Sequence, residues 1–390
     1  MWLLPIFSPF ARFALRVFYR LGVTGERVPE TGPVLLVANH PNSLLDPGAV
    51  VAVAGRPVRF LAKAPLFSDK LVGWMVRGAG AVPVYRKQDD PAAMAGNDDT
   101  FRAVQEALAE GAAVGIFPEG ISHTSPSMAP LKTGAARIAL GAASRAGKAF
   151  PIVPVGLVFR EKEFFRSEGM VVVGEPIAWG DLAPRGEADR AAVAELTSRI
   201  ADALHRVTIN LERWEDAPLL ETAEAVFSAE HPTDPSPAAR VRRLREAGEA
   251  LARLRGDDRG RVLAREVAGH ARALRLLGMT PEQLKAGNRA DVAAGWVARQ
   301  LAFFALGVPV AALGTLLFFV PYRLTRPAAS LTKPTPDVRA TAKLLVGGVI
   351  HLLWVVALAV LAGWRFGAAA GVAALVALPA IGIVTLHVRD

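Results

Sequence analysis

Three stretches near the C-terminal end restrict the possible folds more than any other feature. Leu301–Val320, Leu344–Ala362 and Phe366–Leu386 contain no Asp, Glu, Lys or Arg. As helices rising about 1.5 Å per residue, each is long enough to cross a hydrocarbon core of about 30 Å. Three uncharged runs in succession predict an integral membrane protein with a membrane domain over 297–390. The three runs share no fixed motif, so they are not read as an internal repeat. The first run is interrupted by Gly307, Pro309 and Gly314. The linker 321–343 carries Arg323, Arg326, Lys333, Arg339 and Lys343 against Asp337 alone. Positive charge favours the cytoplasmic side. The expectation is therefore that 301–320 is re-entrant or shallow, while 344–362 and 366–386 form a true hairpin.

Charge and composition narrow the function. Lys and Arg total 45 against 36 Asp and Glu, a net +9, which favours polyanions: an anionic membrane surface or phosphorylated substrates. No nucleic-acid-binding motif is present, so nucleic acid is not an expected partner. With no cysteine there is no disulfide framework, thiolate metal site or cysteine nucleophile. At the N-terminus, Arg12, Arg16 and Arg20 recur every four residues beside Trp2, Phe7, Phe10, Leu15, Phe18 and Leu21. That pattern suits an interfacial amphipathic helix over 1–22, with an ordinary helix docked on the domain as the alternative.

Between these ends, two further zones follow. Over 23–180 short apolar runs at 34–38, 58–62, 81–85, 113–117, 152–159 and 170–173 alternate with helical patterns at 66–77, 99–110 and 133–146. This alternation predicts an α/β domain with a buried sheet flanked by helices. Over 181–296 the chain turns to charged Ala/Leu/Arg/Glu-rich helices, a helical extension broken by the proline-bearing loop His231–Pro237.

The chemistry is concentrated after the first strand. Asn39-His40-Pro41-Asn42-Ser43-Leu44-Leu45-Asp46-Pro47 places a histidine and an aspartate close together between prolines. Pro41 and Pro47 disfavour the α region for His40 and Asp46. At a separation of six they lie on different faces of a regular helix, so only a turn can pair them. Such a pair is chemically sufficient for general base catalysis, the aspartate fixing the tautomer while the second ring nitrogen takes a proton. A capping aspartate beside a surface histidine remains the alternative at this point.

Three more clusters change the balance: Gly80-Ala81-Val82-Pro83-Val84-Tyr85-Arg86, Phe117-Pro118-Glu119-Gly120 and Ile152-Val153-Pro154-Val155. In this order and spacing, residues 39–155 resemble the glycerophospholipid acyltransferase superfamily, which includes glycerol-3-phosphate and 1-acylglycerol-3-phosphate (lysophosphatidate) acyltransferases. The resemblance implies that His40 is the general base and Asp46 orients it. It further implies that Arg86 binds the acceptor phosphate, that Glu119 and Gly120 line the acceptor site, and that Pro154 shapes its floor. No cofactor and no metal are implied; acyl-CoA or acyl-carrier protein serves as acyl donor, a phosphorylated glycerol as acceptor and the lipid bilayer as partner. Such an enzyme is expected at a membrane, the inner membrane if bacterial, with its catalytic domain facing the cytoplasm.

Two departures concern the acceptor. Five residues separate His40 from Asp46 where the family has four, and Glu119-Gly120 is followed by Ile121-Ser122-His123. Both resemble a branch of glycerol-3-phosphate and dihydroxyacetone-phosphate acyltransferases, whose downstream Pro-Leu-Lys matches Pro130-Leu131-Lys132 and makes Lys132 a second phosphate ligand. His123 is expected to help bind phosphate or to cap the loop after Gly120, with competition with His40 as base the weaker alternative. A lysophospholipid acyltransferase with another head group, and a non-catalytic scaffold of the same fold, are the competing expectations. The run 141–149 is one residue too long for a phosphate-binding loop and is read as a helix C-terminus.

Overall fold

The computed structural model describes residues 4–69, 73–85, 96–159, 161–211, 213, 216–234, 236–254, 257–277 and 290–389. The chain divides into two compact units, one of residues 1–162 with 166–282, the other of 163–165 with 283–390.

The first unit is built on a seven-stranded sheet. Its strands are β1 (Arg20–Gly25), β2 (Val34–Ala38), β3 (Val58–Lys63), β4 (Val82–Val84), β5 (Ala113–Ile116), β6 (Ile152–Phe159) and β7 (Glu168–Val173). Their spatial order is β1-β7-β6-β2-β5-β3-β4. All neighbours run parallel except β6 and β7. Every residue of β2 and β5 is buried, because helices cover both faces and a central parallel strand has no solvent side. Hence these strands read as unbroken apolar runs.

The helices are α1 (Leu4–Phe18), α2 (Leu45–Ala54), α3 (Pro65–Ser68), α4 (Gly73–Gly78), α5 (Gly96–Ala109), α6 (Gly134–Ala146), α7 (Arg190–Val207), α8 (Ala217–Glu230), α9 (Pro237–Leu254) and α10 (Asp258–Leu277). On one face of the sheet, Leu35, Val37, Val114, Ile116 and Ile152 share a core with Val104 and Leu108 of α5, Ile138 and Leu140 of α6, and Leu196, Ile200 and Leu204 of α7. α7, beyond the boundary expected at residue 180, contributes to the sheet's own core. The loop 231–237 does break α8 from α9, and α6 does end at the 141–149 run, at Gly147.

Three local differences from the expected elements stand out. The helix expected over 1–22 stops at Phe18, and Arg20–Gly25 becomes a strand because it gains a parallel ladder with β7, Val23 facing Val171. In α1, Leu15 and Phe18 are buried and Leu15 packs at Gly48 of α2, while Phe10 and Phe13 stay exposed. Second, Leu45–Ala54 is a helix with no apolar period, its residues being apolar on all sides and nearly all buried. Third, the expected helix 66–77 is described as two helices, α3 and α4.

The second unit holds α11 (Ala290–Ser330), α12 (Arg339–Phe366) and α13 (Ala368–Arg389). Within them Gly307–Ser330, Arg339–Phe366 and Ala368–Val388 are long and apolar enough to cross a membrane. The run 301–320, expected to be re-entrant or shallow, lies within α11, a continuous helix of 41 residues that contains Pro309, Pro321 and Pro327. Its glycines serve close packing instead. A Cβ on Gly314 would lie 1.9 Å from Thr385 Oγ1 of α13, and small residues at such crossings let apolar helices approach each other. Pro321 deprives the Leu317 carbonyl of its helical donor, and the indole N–H of Trp354 in α12 donates to that oxygen at 2.8 Å.

Candidate active site

The residues expected to carry the chemistry gather at the C-terminal edge of the parallel strands, where open α/β sheets place their ligands. β2 leads into His40 and β5 into Glu119, and these strands are hydrogen-bonded neighbours. Lys63 closes β3 on the same edge. Arg86, two residues beyond β4, lies outside the described residues.

His40 and Asp46 are brought together by a turn. Leu45 N–H donates to Asn42 O at 3.1 Å and Asp46 N–H to Ser43 O at 3.2 Å. The chain thereby folds back until His40 Nδ1 lies 2.8 Å from Asp46 Oδ2. Pro47 did not keep Asp46 out of the α region: Asp46 sits in the first turn of α2, where a proline costs no intrahelical hydrogen bond. Asn42 N–H donates to the same Oδ2 at 2.7 Å. Asp46 is wholly buried, and its Oδ1 has no partner among the described residues. Burial pushes its carboxyl above the ordinary carboxylate range, while His40 and the Asn42 N–H pull the other way. With Oδ2 as the acceptor of this contact, Nδ1 carries the proton and Nε2 is the lone-pair nitrogen. Nε2 makes no hydrogen bond among the described residues, and the imidazole lies flat on Phe117, ring centroids 4.1 Å apart and planes 11° apart.

Glu119 lies just beyond the end of β5. It is 1% exposed. Oε1 accepts from His40 N–H at 2.7 Å, and Oε2 accepts from Ala129 N–H at 2.6 Å and from His123 Nε2. All three donors belong to the loops around His40, so this carboxylate fixes the backbone of His40. His123 Nδ1 accepts from Ser125 N–H at 3.1 Å. Both ring nitrogens of His123 are thus engaged within the loop, Nδ1 by Ser125 and Nε2 by the Glu119 carboxylate. Gly120, at φ 72°, turns the chain back after Glu119. A Cβ there would meet Lys132 Cγ at 3.4 Å. Lys132 is exposed, its backbone held by Pro118 O at 2.7 Å. Pro154 lies mid-strand in β6, paired with Val37 of β2.

Several contributors were not found by motif. Tyr19 at the end of α1 is fully buried; its hydroxyl accepts from Asn42 Nδ2 at 2.7 Å and donates to Lys162 O. Burial holds this phenol far above its ordinary range, so it stays protonated. Lys162 Nζ donates to Pro41 O, and to His123 O at 3.2 Å. Ser122 Oγ accepts from Ser43 N–H at 3.0 Å. Asn42, Ser43 and Ser122 stand inside the quoted motifs, whereas Tyr19 and Lys162 come from distant segments with no spacing to announce them.

A family model described as Acyltransferase matches residues 20–158. Over 157 residues the chain is 32% identical to the 1-acyl-sn-glycerol-3-phosphate acyltransferase of Bacillus subtilis (strain 168), covering 39% of this chain and 71% of that protein. Over 136 residues it is 34% identical to glycerol-3-phosphate O-acyltransferase 2 of Saccharomyces cerevisiae; the match covers 34% of this chain and only 18% of the yeast protein's length. The crystal structure of the 1-acyl-sn-glycerophosphate acyltransferase PlsC from Thermotoga maritima is similar with a TM-score of 0.38 at 20% identity, covering 51% of this chain and 77% of that one.

Proposed function

We propose, from the premise that this chain belongs to the glycerophospholipid acyltransferase superfamily, that it moves a fatty acyl group from acyl-CoA or acyl-carrier protein to a hydroxyl of glycerol-3-phosphate or 1-acylglycerol-3-phosphate. The observation that carries this reading is the dyad itself: a buried Asp46 bonded to His40 Nδ1, with Nε2 left unengaged at the sheet edge.

His40 Nε2 takes the proton from the acceptor hydroxyl as its oxygen attacks the thioester carbonyl. The tetrahedral intermediate collapses with cleavage of the C–S bond, and the thiolate leaves and recovers a proton from the imidazolium. Asp46 stabilises that imidazolium by proximity of opposite charge. A phosphate monoester carries close to two negative charges, which suits the planar guanidinium of Arg86 and the exposed ammonium of Lys132. Gly120 contributes backbone to the acceptor site, and Glu119 acts through His40. Because both acyl donors are cytoplasmic, the first unit faces the cytoplasm, and the apolar helices of the second hold the enzyme where its acyl chains dissolve.

Membranes containing the chain, given labelled acyl-CoA, are to be offered glycerol-3-phosphate, dihydroxyacetone phosphate, lysophosphatidate and a lysophospholipid with an esterified phosphate, in parallel. Transfer to glycerol-3-phosphate or lysophosphatidate is the expected result. Transfer only to the esterified head group would replace this acceptor with the lysophospholipid one, and no transfer at all would favour a scaffold.

A further inference from the structure

The two departures from the family pattern, the extra residue between His40 and Asp46 and the Ser122-His123 pair after Glu119-Gly120, meet in space. The loop that must close the dyad has five intervening residues where four is the family spacing. Within that loop Ser43 has a φ of 49°, in the left-handed region. A residue with a Cβ is disfavoured there, and only a few per cent of non-glycine residues adopt such values. Serine holds this conformation with its N–H directed away from the turn, and Ser122 Oγ accepts that N–H at 3.0 Å across 79 positions of sequence. The next residue continues the grip: His123 N–H donates to His40 O at 3.2 Å, while Glu119 accepts from His40 N–H.

We propose that Ser122 is a positioning residue for the acyl transfer, holding Ser43 in its left-handed conformation so that a five-residue spacer brings Asp46 onto His40. The effect reaches the dyad through one peptide: Asp46 N–H is bonded to Ser43 O, so a change of conformation at Ser43 displaces the carboxylate that fixes the imidazole. A displacement of about 1 Å at a reacting group costs on the order of 10²-fold in rate, and a loop that samples the correct geometry part of the time loses less. This inference rests on the reading of His40 as base.

The test uses the full chain in membranes, with kcat and KM for donor and acceptor and the thermal transition measured on each variant. Ser122→Ala is expected to lower kcat about tenfold with both KM values changed less than about twofold, the scale of a partly misplaced base. Ser122→Thr keeps the hydroxyl and is expected to stay within about twofold of the parent. Ser43→Gly should also retain activity, because glycine adopts positive φ without support. For the same reason the double variant Ser43→Gly with Ser122→Ala should lie within about threefold of Ser43→Gly alone. Wild-type kcat in Ser122→Ala, or the same tenfold loss with glycine at 43 as with serine, would overturn the proposal. Should Ser122→Ala fail to accumulate, the two glycine variants decide the matter. His40→Ala assayed in parallel separates the two ideas: retained activity there defeats the base reading, whereas its loss beside an unaffected Ser122→Ala defeats only the role of Ser122.

Discussion

The catalytic edge of the sheet and the C-terminal helices both contain backbone groups deprived of their regular partners, and they supply replacements of opposite kinds. At the edge, the N–H groups of His40, Asn42 and Ala129 are taken by the carboxylates of Glu119 and Asp46. In α11 the carbonyl of Leu317 is taken by the neutral indole of Trp354. A buried backbone group left unpaired is costly in either setting. Where charge can be held by several donors and a partner imidazole, the repair also builds chemistry. Among apolar helices a charge has no such shell, and the repair is uncharged. Glu119 and Asp46, though both buried carboxylates, are not equivalent. Glu119 is enclosed by three donors, whereas Asp46 has one oxygen without a partner and the histidine on the other.

The comparison breaks first at Glu119. Glu119→Ala strands three part-buried donors, each worth up to about 1–3 kcal/mol when unpaired, so both the thermal transition and the activity should fall. A variant as stable as the parent would mean that the carboxylate does not organise the loop.

Asp46→Asn sharpens the contrast, since activity and stability should part. Activity should fall at least about 10²-fold, the scale of a mis-set general base. Stability should not fall at neutral pH. The sign follows from the raised carboxyl of Asp46: between its unfolded and folded titrations the folded state holds a proton that the unfolded state lacks. Its contribution to stability therefore declines as pH rises through that window, and is most favourable below it. Asparagine removes that pH-dependent penalty. Thermal unfolding of both proteins across the acid range checks this, and a larger loss of stability in the variant at high than at low pH would contradict it.

Arg86→Ala should weaken use of the phosphorylated acceptor by about tenfold to a hundredfold, from roughly 1.5–3 kcal/mol for a charge-assisted pair, leaving the donor KM unchanged. Lys132→Ala should act in the same direction more mildly. Equal effects on donor and acceptor would make Arg86 structural. The smallest effect belongs to the neutral repair. Trp354→Phe leaves one carbonyl unpaired, and should lower the thermal transition slightly with kcat unaltered; a lost kcat would tie that helix to catalysis.

Much of this arrangement was legible in the residues, for reasons that also explain the rest. Val34–Ala38 and Ile152–Phe159 announced themselves because strands covered on both faces must be continuously apolar. Leu45–Ala54 did not, since a helix buried on all sides has no period to detect. Arg20–Gly25 continued the arginine spacing of α1, and only the distant β7 made it a strand. In α11, Pro309 and the glycines looked like a break until the packing on α13 accounted for Gly314. The dyad was legible by spacing and residue type. Tyr19 and Lys162 were not, because a hydrogen bond made across more than a hundred residues has no local signature.

The central claim, that His40 is the base of an acyl transfer to a phosphorylated glycerol, is tested most directly by turnover of His40→Ala. The variant is to be assayed in membranes with labelled acyl-CoA and each acceptor, beside the parent and with its thermal transition recorded. The account predicts an unchanged transition and a turnover lower by at least about 10²-fold with every acceptor the parent uses. A well-folded His40→Ala that retains the parent's turnover would contradict it.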